Sequence, residues 1–247
     1  MDVEQAAERV LVIPTAVFHE CGYFEGFSNQ VDRYKNLTGI DEFPPLCAFV
    51  PRGEIEDEPG WKQLVSYILV RRRHATSGNF FLSYRRGQTQ ADGRLRGNMS
   101  IGFGGHIQEE DEAEAFDKYP GMWETSQTID FLSATSRGML RELFEELKFG
   151  GNAVPRMNFV GLVNEDRTDL GRVHLGLVWV ADVIAPTVTS RESTVREVTW
   201  QQFGALLEQR QRYEPWSQLV IAAAEWGLLT KEFDPQLLFG PILDSLA

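Results

Sequence analysis

Cysteine is scarce in this chain: Cys21 and Cys47 are the only two among 247 residues. Two thiols cannot build a disulfide framework, and they fit a reducing compartment. Basic residues are outnumbered, with 24 Lys and Arg against 36 Asp and Glu and a formal net charge of -12. Long-range electrostatics therefore oppose polymeric nucleic acid and anionic membrane surfaces. An anionic small molecule stays open only through a local basic pocket or a bound metal. The opening residues, "MDVEQAAERV", lack the basic and apolar regions of a secretory signal. No apolar run approaches the length of a membrane span. A soluble, cytoplasmic protein is expected. Repeats and low-complexity tracts are missing too.

What is present is an ordinary globular mix of apolar and charged residues. The length suits one large domain or one domain with extensions. "RVLVIPTAVF" (9–18) reads as a short buried strand interrupted at Pro14. Residues 19–60 carry "FPPL" and "DEPG" as breakers and read mostly as loop. "KQLVSYILVRRR" (62–73) and "NFFLSYRRG" (79–87), joined by "TSGN", predict a hairpin. "NMSIGFGGHI" (98–107) predicts a strand running into a glycine turn. Residues 108–130 read as an exposed insertion. Strands are expected at 157–164 and 172–184 around the polar loop "EDRTDLG", and a short strand enters a helix at 196–203. A second amphipathic helix is expected at 215–229, followed by a tail. Strands before, between and after two or three helices predict an α/β fold, a mixed α/β sandwich.

One stretch stands apart. "RGMLRELFEELKF" (137–149) places Glu142, Glu145 and Glu146 on one side of a helix expected over 133–148, at 100° per residue. Leu140, Leu143, Phe144 and Leu147 fall on the opposite side as a core-facing stripe. Arg141 reaches Glu145 one turn on. Two like charges ~5 Å apart repel by about 3 kcal/mol at an effective dielectric near 20. A hard divalent cation with oxygen ligands would justify gathering three carboxylates. A solvated acidic face is the plain alternative.

A strand ending in Gly104-Gly105, followed by a helix carrying Arg-Glu-Leu-x-Glu-Glu, resembles the Nudix box of the Nudix hydrolase superfamily. "SIGFGGHI" and "VHLGLVW" are similar to a long bacterial branch of Nudix-like proteins with an insertion inside the box. The resemblance spans about residues 62–229. It implies a Nudix-type α/β/α sandwich with a mixed β-sheet. Residues 1–60 would be an N-terminal extension packed on the same domain, and 61–247 the Nudix-like domain with its insertion at about 108–130. It also implies Mg²⁺ or Mn²⁺ as cofactor, held by the Gly105 carbonyl and by Glu142, Glu145 and Glu146. Glu142, Glu145 and Arg141 are the expected catalytic group, with Arg141 orienting Glu145. Arg85, Arg86 and His106 are the expected phosphate contacts, since that strand end borders the substrate pocket in Nudix folds.

The chain departs from the family pattern in two places. The family has a Glu six residues after the second glycine and eight before the Arg. The position eight before Arg141 is Ser133, with Asp130 nearby. The glycine that follows the last Glu by two residues is Lys148 here, so Gly150 or Gly151 is expected to cap the helix.

Secondary candidates are Glu165, Asp166 and Asp169 in the polar loop, as an extra ligand or base, and Glu192 and Glu197 near the next strand. Arg71, Arg72 and Arg73 read as a solvated strand end, His174 as a satisfied strand residue, and Trp200 and Trp216 as core anchors. The expected function is divalent-metal-dependent hydrolysis of a diphosphate linkage in a nucleoside diphosphate derivative. The expected partner is thus a small-molecule nucleotide-type diphosphate, not polymeric nucleic acid and not a membrane. A homodimer stays open. The alternative is a non-catalytic Nudix-fold module that binds a nucleotide or a protein.

Overall fold

The computed structural model describes residues 3–31, 33–34, 47–87, 97–112, 131–152, 155–184, 187–193, 195–227 and 229. Its architecture grows from two buried strands. β4 (Trp61–His74) and β10 (His174–Asp182) are rich in β-branched and large apolar residues and are buried along almost their whole length. They pair in parallel, Gln63 opposite His174 through Arg71 opposite Asp182. Strands covered on both faces read as continuous apolar runs, which is the pattern "LVSYILV" and "HLGLVWVA" show.

Antiparallel neighbours extend the sheet on both sides. The order is β12 (Val195–Gln202), β5 (Gly78–Arg86), β4, β10, β9 (Arg156–Asn164) and β2 (Gly26–Ser28). β1 (Arg9–Pro14) pairs with the start of β4 and with β3 (Ala48–Pro51). The N-terminal residues are thus woven into the same sheet. The Leu11 N–H also donates to the Ile107 carbonyl at 2.8 Å, just beyond the glycine turn.

Helices cover both faces. α4 (Phe131–Glu146) sets Met139 and Leu143 against Leu64, Ile68 and Leu177. α7 (Pro215–Glu225) sets Val220 and Ile221 against Leu69, Val178 and Val180 on the other face. The result is an α/β/α sandwich around a mixed sheet, as expected. No helix among the described residues is long and apolar enough to cross a membrane.

Several boundaries differ from the sequence reading. Pro14 ends β1, and the chain turns at once into α2 (Thr15–Gly22), burying Phe18 completely. The stretch expected to be loop also holds β2, β3 and α3 (Arg52–Ile55). The strand before the glycines breaks at Ile101: β6 (Met99–Ser100) pairs with β5, and β7 (Gly102–Phe103) pairs with β4. α4 stops at Glu146 rather than at 148. Leu147–Phe149 form β8, captured by β11 (Val188–Ser190), and Arg191 N–H takes the Glu146 carbonyl at 2.8 Å. A strand partner outcompetes the last helical turn there. Gly151, at φ 71°, turns the chain after β8 and does not cap the helix. The chain before β10 forms a single turn, α5 (Asp169–Arg172), capped by the Thr168 side chain. A last short helix, α6 (Phe203–Glu208), follows β12. Residues 113–130 of the expected insertion and the tail from 230 lie outside the described residues.

Candidate active site

β7 delivers the chain into the turn Gly104–Gly105, directly over α4. Gly104 has φ +124°, and a Cβ there would lie 2.2 Å from the Ser66 carbonyl oxygen, so glycine is required. Its N–H donates to Glu146 Oε2 at 2.9 Å. A Cβ on Gly105 would stand 2.7 Å from both Glu142 carboxylate oxygens. The bare backbone thus lies on Glu142 and Glu146, which sit one helical turn apart. The Gly105 carbonyl accepts from Ser66 N–H at 2.9 Å and keeps its second lone pair.

These carboxylates are held in their neutral form more than usual. Burial pushes Glu142 up to about 7, against the pull of Arg141. Burial, followed by repulsion from Glu142, pushes Glu146 up to about 8, while Arg86 and the Gly104 N–H hold it back. Glu145 is half-exposed and touches only the edge of this cluster.

Arg141 is the hub. It donates to Asp111 through Nε at 2.8 Å and Nη2 at 3.0 Å, and to the His106 carbonyl at 3.0 Å. Through Nη1 it reaches Glu142 at 2.8 Å and Glu145 at 3.2 Å. Asp111 is buried and also accepts from Gln108 N–H at 2.8 Å. The sequence reading missed it, although it stands six residues after Gly105, the family spacing for the early acid. Counting forward from the glycine would have found it. Counting back from Arg141 stopped at Ser133, with Asp130 nearby, short of the insertion that separates Arg141 from Asp111; Asp130 lies outside the described residues, as does the side chain of Ser133.

The expected phosphate contacts divide. Arg86 lies over the Tyr84 ring at 5.6 Å from its centroid, and its Nε is buried with no hydrogen-bond partner among the described residues. Burial works against its charge, but Tyr84, Glu214, Tyr67 and Glu146 around it outweigh that. Arg85, one residue earlier, projects to the other side of the strand. It pairs with Glu197 at 3.0 Å and with the Gly97 carbonyl at 2.9 Å. The His106 ring does not turn to the carboxylates: its Nε2 lies 3.1 Å from His174 Nε2.

The other candidates are spoken for. Glu165 accepts from Arg167 N–H, Thr168 N–H and the Thr168 hydroxyl. Asp166 takes the buried Lys62 ammonium at 2.5 Å, and Asp169 pairs with Arg172. Glu192 is exposed, and its charge adds to the repulsion on Glu146. Arg71, read as solvated, is buried and bidentate to Asp182 at 2.7 and 2.8 Å, because β4 carries it between β5 and β10. Arg73 reaches the same carboxylate, and Arg72 stacks on Trp200 at 4.3 Å. Trp216 packs edge-on to Tyr67 in the core.

Among the described residues, no three His, Cys, Asp or Glu side chains converge as a ready metal cage. Arg141 draws Glu142 and Glu145 one way, and the Gly104 N–H draws Glu146 the other. The donor chemistry still suits a hard divalent cation. Two carboxylates one turn apart repel each other under bare glycine backbone, a charge that such a cation would neutralise.

No family model matches the chain. The chain is 27% identical to Protein YmaB of Bacillus subtilis (strain 168) over 177 residues, 70% of this chain and 76% of YmaB. The crystal structure of Tm1382, a protein assigned as a Nudix hydrolase, matches with a TM-score of 0.65 and 24% identity. That match covers 88% of this chain and 98% of Tm1382. A NUDIX hydrolase from Alicyclobacillus acidocaldarius matches with a TM-score of 0.48 and 14% identity, over 73% of this chain and 98% of that one.

Proposed function

The chain has the fold of the Nudix hydrolases, and from that premise we propose that it is a divalent-metal-dependent hydrolase cleaving a diphosphate linkage in a nucleoside diphosphate derivative. The observation that carries this reading is the Gly104–Gly105 backbone laid directly on Glu142 and Glu146. A diphosphate could approach there without side-chain obstruction. Glu142, Glu146 and the edge residue Glu145 would hold Mg²⁺ or Mn²⁺, with the Gly105 carbonyl as a backbone ligand. The cation would supply charge neutralisation on the phosphate oxygens and a more acidic bound water.

The chain's own groups do the rest. Arg141 fixes Glu142 and Glu145 and is itself fixed by Asp111, so the ligating rotamers are limited. Arg86 presents a buried positive charge beside Glu146, suited to a phosphate oxygen. A carboxylate of raised basicity is suited to accept the proton of the attacking water near neutral pH. Asp111 stands at the family spacing for the early acid, which weakens the case for a non-catalytic module.

The test is phosphate release from a panel of nucleoside diphosphate derivatives with Mg²⁺ or Mn²⁺, alongside thermal melting. Wild type should turn over at least one substrate and melt higher with Mn²⁺, because a ligand of the native state stabilises it. Glu145→Gln/Glu146→Gln should lose both effects. No turnover together with no Mn²⁺-dependent shift would sink the proposal.

A further inference from the structure

We propose that His174 is a positioning residue for the glycine turn. Through one hydrogen bond to His106 it holds the Gly105–His106 peptide in register with α4. This rests on the reading of the carboxylate pocket given above and adds to it a residue from the far side of the sheet.

The bond can be oriented from its surroundings. His174 Nδ1 lies 2.7 Å from the Leu170 carbonyl, which can only accept, so Nδ1 carries a proton. Burial pushes the His174 pKa down to about 4, so the ring is neutral and its Nε2 is a bare acceptor. The partner 3.1 Å away, His106 Nε2, must then be the donor. One direction of proton donation runs from His106 to His174 to Leu170.

The two rings lie on the face of the sheet away from α4. Ile107 and Leu175 belong to the core cluster that packs on α4, and alternation puts their neighbours His106 and His174 on the other side. The His106 main chain, in contrast, faces the pocket, where its carbonyl accepts from Arg141 at 3.0 Å. The residue is therefore gripped from both faces, by Arg141 at the backbone and by His174 at the ring. Between these grips and the strand stands a diglycine, the most permissive backbone available. Ser66 N–H on the Gly105 carbonyl at 2.9 Å and Ile107 N–H on the Leu64 carbonyl at 3.3 Å tie this segment to β4, and the ring pair adds a side-chain tether to that backbone ladder.

The far anchor is rigid. Lys62 is fully buried, and its ammonium donates to the Gly171 carbonyl at 3.1 Å and the His174 carbonyl at 3.3 Å. The Thr168 hydroxyl accepts from Gly171 N–H at 3.0 Å, closing the turn that presents Leu170. His174 thus links the locked loop before β10 to the glycine turn after β7.

The experiment uses the full-length protein and the variants His174→Leu and His174→Gln. Three quantities are read: the Mn²⁺ dissociation constant by electron paramagnetic resonance, the amide resonances of Gly104 and Gly105 without metal, and kcat with KM. His174→Leu should weaken Mn²⁺ roughly 10- to 100-fold, the usual cost of losing a partner that orients a ligand. It should also shift or broaden both glycine amides and lower kcat more than KM. His174→Gln, whose amide oxygen can still accept from His106, should recover most of each effect. Wild-type Mn²⁺ affinity and unmoved glycine amides in His174→Leu would overturn the inference. If that variant does not fold, His106→Leu removes the same bond from the other end, and unchanged Mn²⁺ affinity there overturns it equally. If wild type itself binds no Mn²⁺, the reading of the pocket fails, and the metal-free glycine amides alone decide the role of His174.

Discussion

One acidic cluster lies in the loop before α5 and another under the glycine turn, and their fates differ. In the loop before α5, Glu165 is 1% exposed, yet three donors from Arg167 and Thr168 meet its carboxylate. Its neighbour Asp166 has the Lys62 ammonium. Under the glycine turn, Glu142 shares Arg141 with two other carboxylates, and Glu146 has one backbone N–H and a like charge beside it. The first cluster is closed on itself. The second is buried with fewer donors, and burial first, then repulsion within the cluster, lifts Glu142 to about 7 and Glu146 to about 8. Acidic composition is the same in both; the supply of donors separates a staple from a site.

The largest expected effect tests the closed cluster. Lys62→Met removes the cation from four acceptors in the interior. It should lower unfolding free energy by about 3 kcal/mol, the lower range for breaking a buried pair. Urea denaturation reads it, and a loss below about 1 kcal/mol would mean the loop is not held in this way.

The open cluster should respond in the other sense. Glu146→Gln keeps size and helix propensity and should cost about 10²-fold in turnover. Stability without metal should stay equal or rise by up to about 1 kcal/mol, because repulsion is relieved. Equal turnover in wild type and variant would remove Glu146 from the chemistry.

A pH series sharpens the contrast further. A carboxylate raised on folding contributes stability below its unfolded pKa and loses it as pH climbs through the folded value. Metal-free protein should therefore lose stability between about pH 4.5 and 8, from Glu142 and Glu146. His174, depressed to about 4, acts oppositely: its share disappears as pH falls from 6.5 toward 4. The clean window is thus pH 6.5 to 8, where the decline should flatten in Glu142→Gln/Glu146→Gln. An identical slope in that variant would place the titration elsewhere. The smallest effect is expected from Asp169→Asn, whose side chain is 76% exposed. Stability should move by less than about 0.5 kcal/mol and turnover not at all; a tenfold loss would tie the loop to the pocket.

How much of this was legible follows from range. The carboxylate face of α4 and the buried run of β4 are local periodicities, and both stood out in the chain. The end of α4 did not, because β11, some forty residues on, supplies the strand that claims Leu147–Phe149. Phe144 was expected in the core stripe but sits at its rim, packed edge-on to Phe149. Asp111 was hidden by its distance in sequence from Arg141, although the glycine spacing marked it. Arg85 and Arg86 could be assigned to a strand end, but only the sheet decides which faces the pocket. The pairing of His106 with His174 is purely tertiary and left no local trace.

The Arg191 N–H that closes the last carbonyl of α4 has a temporal consequence. During synthesis the carboxylate helix leaves the ribosome well before the strand that terminates it, and β4 waits longer still for β10. Parallel pairing across so long a stretch is slow, since loop closure must come before the contacts that reward it. Until about residue 182 has emerged, α4 packs on a sheet that lacks β10, and until about residue 191 its last carbonyl lacks its donor. A nascent chain stalled there is a substrate for chaperones or proteases before it is anything else.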